Sequence, residues 1–226
     1  MTSSSDKAQE LLLEKAAQKV RAVKDATLTQ LIMPLTTPRY EVVCFFGSMD
    51  RVLEGYGRDY GGIDMNPDFQ RGHVWTPDQQ QSYIENLLRG LVSSTGLSIQ
   101  FNCPNWENDI YKPVEGGIPN GFQCIDGLQR VTAVRKFLNN EIRPFGLGPR
   151  DLDDSSFSMK RTVFRFNLSV HSFETRPELL KHYLDLNSGG TPHSAAEIER
   201  VRGLLNQAKA APEAPNTEIT TKKVRP

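Results

Sequence analysis

The segment FQCIDGLQRVTAVRKFL, residues 122 to 138, constrains the fold more than any other stretch of this chain. Phe122 to Ile125 form a short, largely apolar run. After Asp126-Gly127, the apolar residues Leu128, Val131, Val134 and Leu138 recur at three- and four-residue spacing. That order predicts a strand that turns at glycine directly into an amphipathic helix. A helix start preceded by glycine presents unpaired amides and a partial positive charge to an anion. Arg130, in the first turn, adds a rigid fork of donors suited to phosphate. On this segment alone a plainer reading stays open, with Asp126 as a helix cap and Arg130 as a solvated side chain.

The rest of the body repeats the mixture of strands and helices. SIQFN (98–102) and TVFRFNLSVHSF (162–173) are short and rich in Phe, Ile and Val, as strands are. Thr76-Pro77-Asp78-Gln79 is a capping box with proline at the first helical position, followed by the stripe Ile84, Leu87, Leu88 and Leu91. Thr175 to Glu178 and Ser194 to Glu197 repeat the Ser/Thr-x-x-Glu device before two further helical runs. Short strands interspersed with helices, without long regular alternation, predict an α+β fold with no internal repeat.

The two ends differ from this body. Residues 6 to 31 carry a helical pattern through Leu13, Ala16, Ala17, Val20 and Val23, so residues 1–39 are expected to be a helical extension that packs on the body or on a partner. Residues 206–226 are rich in Pro, Ala and charge and poor in large apolar side chains, which predicts a disordered tail. Residues 40–205 remain as a single domain.

Composition excludes some functions. The 27 basic and 27 acidic side chains cancel, so no global field draws in nucleic acid and any such binding must be local. Cys44, Cys103 and Cys124 show no paired spacing, as expected of free thiols in a reducing compartment. No run of about 18 apolar residues occurs, and the N-terminal stretch lacks a signal-peptide core. A cytoplasmic protein with no membrane partner is expected.

A second Gln-Arg pair, Gln70-Arg71, lies in an irregular segment just ahead of the Thr76 helix and duplicates the donor chemistry of Gln129-Arg130. Val74 and Trp75, beside it, read as core residues. His73, His171, His182 and His193 have no metal-ligand spacing, and Gly189-Gly190 is followed by Thr-Pro rather than by the Lys of a phosphate-binding P-loop.

In this order, FQRGHVW, FQCIDGLQRVTAVRKFL and YLDLNSGGTPHSAAEIER resemble the GmrS-like family, known from the N-terminal domain of GmrSD restriction endonucleases, within the ParB/sulfiredoxin-like superfamily. The resemblance runs over roughly residues 40 to 205. It implies a compact α+β domain whose Asp-Gly-x-Gln-Arg turn binds, and in several relatives hydrolyses, a nucleoside triphosphate in the service of acting on DNA. Carried over by residue type and order, Asp126, Gln129 and Arg130 fall on the main motif, Gln70 and Arg71 on an upstream Gln-Arg motif, and Asn187, Gly189 and Gly190 on a third segment. Leu128 departs from the second glutamine common at its position, and His193 from an apolar residue. The His-Asn-His nuclease domain of the restriction enzymes has no counterpart in the sequence, so cutting by that route is not expected.

If a triphosphate binds, Arg71 and Arg130 are expected to hold phosphate oxygens, with Gly127, Gln70, Asn187, Gly189 and Gly190 around them. Gln129 is expected to position the terminal phosphate or its attacking water, and Asp126 to hold Mg²⁺ or orient that water. Expected partners are the nucleotide, DNA, and either a separate nuclease subunit or a second copy engaged through the N-terminal helix. Two alternatives stand beside this reading. One is a ParB-like DNA-binding or DNA-nicking protein using Arg71, Arg89, Arg130, Arg135 and Lys136 as one basic face. The other is a non-catalytic interaction protein.

Overall fold

The structure, a computed structural model, describes residues 4–72, 74–92, 98–161, 164–188 and 195–210. The chain divides into two units, Met1–Thr36 and Thr37–Pro226. The first holds one long helix, α1 (Ser4–Ile32), on which Leu13, Val20 and Val23 are exposed.

The second unit is α+β. Five strands, β1 (Tyr40–Phe45), β2 (Ile63–Asp64), β3 (Ser98–Asn102), β4 (Phe122–Asp126) and β5 (Arg165–His171), form one sheet in the order β1-β5-β3-β4-β2. Neighbours alternate in direction: β1 with β5 and β3 with β4 are antiparallel, whereas β3 with β5 and β2 with β4 are parallel. The helices are α2 (Met49–Tyr60), α3 (Pro77–Leu88), α4 (Leu128–Leu138), α5 (Arg176–Ser188) and α6 (Ala195–Ala210).

Alternation along the strands sends side chains into two cores. Phe122 and Cys124 of β4, Ile99 and Phe101 of β3, and Phe166, Leu168 and Val170 of β5 join Met49, Leu53, Ile84, Val131 and Val134 from α2, α3 and α4. Ile125, from the other face of β4, joins Phe69, Leu179, Leu180, Tyr183 and Val201, the last four from α5 and α6. Phe122 is wedged among Tyr56, Tyr60, Phe101 and Trp106, with ring centroids 5.3 to 6.0 Å away. The strand that leads to the Asp-Gly turn is therefore packed on both faces.

The start signals act as their chemistry requires. Thr76 and Gln79 form the reciprocal capping box at α3, and the Thr175 hydroxyl donates to Glu178 at 2.7 Å ahead of α5. Ser194 lies outside the described residues. The strand expected over 162–173 is ordered as β5 over its central seven residues. Two elements carry no sequence signal of this kind. Edge strand β1 pairs on one side only, and α2 begins at Ser48 with no side-chain cap.

One expectation is corrected. The tail assigned to residues 206–226 begins too early, because α6 runs through Ala210. Helix formers fill this stretch, and Ala208 falls on the same stripe as Leu204 and Leu205, which packs against the α5 core. Residues 211–226 lie outside the described residues. All three cysteines are buried and free.

Candidate functional site

The Asp-Gly turn is built around glycine. Gly127 is the N-cap of α4 with φ +103°, and it makes no side-chain cap bond. A Cβ there would lie 2.9 Å from the Ser98 carbonyl oxygen and 3.1 Å from Ile99 Cα. Asp126, the last residue of β4, is therefore not the cap of α4. Its carboxylate instead pairs with the Arg130 guanidinium one helical turn on. The Arg130 side chain is 25% exposed and that of Asp126 39%, so both charges reach solvent at the mouth of the turn. The first-turn amides of α4 open at the same place.

Residues Asp68–Gly72 and Val74–Trp75 lie across this turn and are tied down on several sides. Gln70 donates its side-chain amide to the carbonyls of Cys124 (3.0 Å) and Ile125 (2.6 Å), which extends the edge of β4 beyond the end of β2. The Gln129 oxygen accepts from the amides of Val74 (3.0 Å) and Trp75 (3.1 Å), and its nitrogen donates to the Gly72 carbonyl at 2.7 Å. Three of the four hydrogen bonds a carboxamide can make are thus committed to the loop. Arg176 of α5 pairs with Asp68. Arg200 of α6 donates to the carbonyls of Asp68, Phe69 and Gln70. Trp75 packs against the core as expected, but Val74 is 47% exposed because the loop turns its backbone, not its side chain, toward α4.

Arg71 sits between these anchors and is itself exposed. Its charge and that of Asp126 both act on the buried Tyr183 hydroxyl. Burial pushes that hydroxyl up to about 12, Glu197 and Asp126 push the same way, and Arg71 and Arg200 pull it down. Arg130 acts similarly on Tyr83, whose hydroxyl is raised to about 12 by burial and has no hydrogen-bond partner among the described residues. Asn187, one turn beyond Tyr183 on α5, donates to the Tyr183 carbonyl at 2.7 Å. Gly189 and Gly190 lie outside the described residues.

The structure thus brings Gln70, Asp126, Gly127, Gln129 and Arg130 together around the end of β4, with Arg71 exposed beside Gln70 on the loop, and it ties Asn187 to its own helix. It also adds Arg176 and Arg200, whose only sequence signal is an arginine at a helix start and another one turn after Glu197. A cavity of about 240 Å³ between the same loop and α5 is lined by Asp64, Asp68, Phe69, Gln123, Arg176 and Leu179, and no residue of the Asp126–Arg130 turn borders it. Among the described residues no three His, Cys, Asp or Glu side chains converge as a metal site. No helix among them is long and apolar enough to cross a membrane.

The chain belongs to the family of the GmrSD restriction endonuclease N-terminal domain, whose family model matches residues 51–167, more than half of the sequence. The match takes in both Gln-Arg pairs and the Asp-Gly turn, and it ends before Asn187 and Arg200. No curated protein and no solved structure matches the chain.

Proposed function

We propose that this domain binds a nucleoside triphosphate at the end of β4 and hydrolyses it as part of a DNA-directed restriction system. The observation that carries the reading is a guanidinium, Arg130, held by Asp126 at a glycine turn that opens a helix, with the exposed Arg71 following Gln70, whose amide is bonded to the end of β4. Such a cluster of donors and positive charge is suited to an anion. The superfamily reading, a ParB/sulfiredoxin-like domain, is consistent with the small mixed sheet but rests on the sequence motifs.

In this reading Arg71 and Arg130 hold phosphate oxygens, and the amides at the start of α4 face the same group. Asp126 holds Arg130 in place and orients the attacking water. The water oxygen bonds to the terminal phosphorus as the bridging P–O bond breaks, releasing inorganic phosphate and a nucleoside diphosphate. Gln129 acts on the loop rather than on the water, because its amide is committed to Gly72, Val74 and Trp75. A Mg²⁺ ion arriving with the nucleotide would offset phosphate charge. One carboxylate, Asp126, suits an ion that takes its remaining ligands from phosphate and water.

The DNA-binding alternative loses much of its basic face. Arg135 is paired with Asp50 at 2.6 Å, and Arg89 lies over the Phe145 ring at 5.3 Å. The test is to measure binding and phosphate release by the full chain with each of the four common triphosphates, with and without duplex DNA. Triphosphate binding with release of phosphate supports the reading. Binding to DNA alone, with no triphosphate bound, would replace it by the alternative.

A further inference from the structure

Arg200 stands on α6, far in sequence from both Gln-Arg pairs, yet it reaches the backbone that leads into Arg71. Nη1 donates to the Asp68 carbonyl at 2.6 Å, and Nη2 donates to the carbonyls of Phe69 (2.9 Å) and Gln70 (3.3 Å). Glu197, one turn earlier on α6, holds the same Nη2 at 2.7 Å. Three successive carbonyls are thus turned toward one guanidinium, immediately before Arg71. Water ordinarily satisfies the carbonyls of a surface loop, so satisfaction alone does not require an arginine with its own carboxylate partner. What the guanidinium adds is order in a segment that would otherwise sample many conformations.

We infer that Arg200 is a positioning residue of the anion site: it fixes residues 68–70 so that Arg71 is presented to the Asp126–Arg130 turn, which couples triphosphate occupancy to the docking of α6. The inference rests on the nucleotide-binding reading above. The coupling follows from linkage. A ligand that binds only the ordered loop stabilises whatever orders it, and α6 does so through Arg200 and through Val201, which is fully buried against α5. Gln129 and Arg176 hold the same loop from other sides, so removing Arg200 should loosen the loop rather than unfold it. If the binding-competent loop then falls to about a tenth of the population, apparent affinity falls on the order of tenfold.

The full chain is compared with R200Q, R200K and, as a control, R202Q, which alters an exposed arginine whose ion pair among the described residues is with Glu199 of its own helix. Equilibrium binding is measured with ATP, GTP and inorganic tripolyphosphate, kcat and KM with whichever nucleotide is hydrolysed, and amide exchange over residues 66–75 and α6 with and without the bound probe. Expected are an affinity loss of about tenfold in R200Q that appears in KM more than in kcat, partial recovery in R200K, and no change in R202Q. In the parent chain the bound probe should slow exchange in both the loop and α6. Parental affinity in R200Q overturns the inference and leaves the nucleotide reading standing. Protection of the loop without protection of α6 in the parent chain overturns the coupling without recourse to any variant. Binding of no probe by the parent chain overturns the nucleotide reading and the inference with it.

Discussion

At Gly127 the backbone has a φ of +103°, and the Ser98 oxygen and Ile99 Cα crowd the place where a Cβ would stand. Both neighbours are backbone, so neither can swing aside. Gly127→Ala should therefore combine left-handed strain with a shift of β3 against the turn, a loss on the order of 2 to 4 kcal/mol. Urea denaturation measures it, and a loss below about 1 kcal/mol would show that the turn relaxes freely. Because Gly127 holds the cap position, Asp126 is released from it, and two substitutions separate the roles. Asp126→Asn removes only a half-exposed ion pair, worth at most about 1 kcal/mol of stability. It should lower phosphate release more than tenfold while nucleotide affinity holds. Arg130→Ala removes a direct phosphate ligand and should weaken binding by about 1.5 to 3 kcal/mol. Binding titrations beside single-turnover assays distinguish the two, and equal losses of affinity in both variants would dissolve the assignment.

At the scale of elements, the site depends on how the 68–75 loop is pinned between the start of α4 and the two C-terminal helices. Gln129→Ala would leave the Val74 and Trp75 amides and the Gly72 carbonyl to water, in a part of the loop that is half-buried beside α3. A loss of about 1 to 3 kcal/mol is expected, with faster exchange at Val74 and Trp75 than at the core amides of β4. Unchanged exchange there would show that the loop holds itself. The junction of β4 and α4 was legible from residues 122–138, because the change of period and the Asp-Gly turn are local events. The anchoring of the loop was not legible, because it joins residues 54 to 132 positions apart in the chain. Gln70 and Gln129 were recognised as a repeated pair, yet their amides address backbone, and nothing in a Gln-Arg dipeptide distinguishes that from addressing phosphate. Strand β1 and helix α2 escaped for another reason. YEVVCF lacks a regular apolar-polar alternation, and MDRVLEGYGRDY holds two glycines and follows a Ser48 whose hydroxyl donates to the Phe45 carbonyl instead of capping, so only packing declares them.

Across the whole molecule, two histidines buried between the sheet and α5 are expected to weaken the fold in acid. His171 of β5 and His182 of α5 have ring centroids 4.5 Å apart, and both are within 5.4 Å of the Phe173 ring. His171 Nε2 meets Gln100 Oε1 at 3.2 Å, while His171 Nδ1 and His182 Nε2 have no hydrogen-bond partner among the described residues. Burial lowers the His171 pKa to about 4, with His182 adding to the shift. Burial also lowers that of His182, against the pull of Asp185 and with a push from Lys181. The folded pKa values lie below the unfolded value of about 6.5, so between the two the unfolded chain binds more protons. Stability from this pair is complete above about pH 6.5 and is lost as pH falls toward 4, by roughly 3 kcal/mol for His171. α5 also carries Arg176 and Tyr183, which hold Asp68 and Phe69 of the loop, so the loss should reach nucleotide binding as well as the melting temperature. Urea denaturation at pH 7.5, 6, 5 and 4, for the parent chain and for His171→Gln, isolates the contribution. Glutamine keeps a donor for Gln100 and cannot titrate, so the variant should start less stable at pH 7.5 and lose distinctly less on acidification. Parallel pH curves for the two proteins would mean that the carboxylates, and not the buried imidazoles, govern acid unfolding.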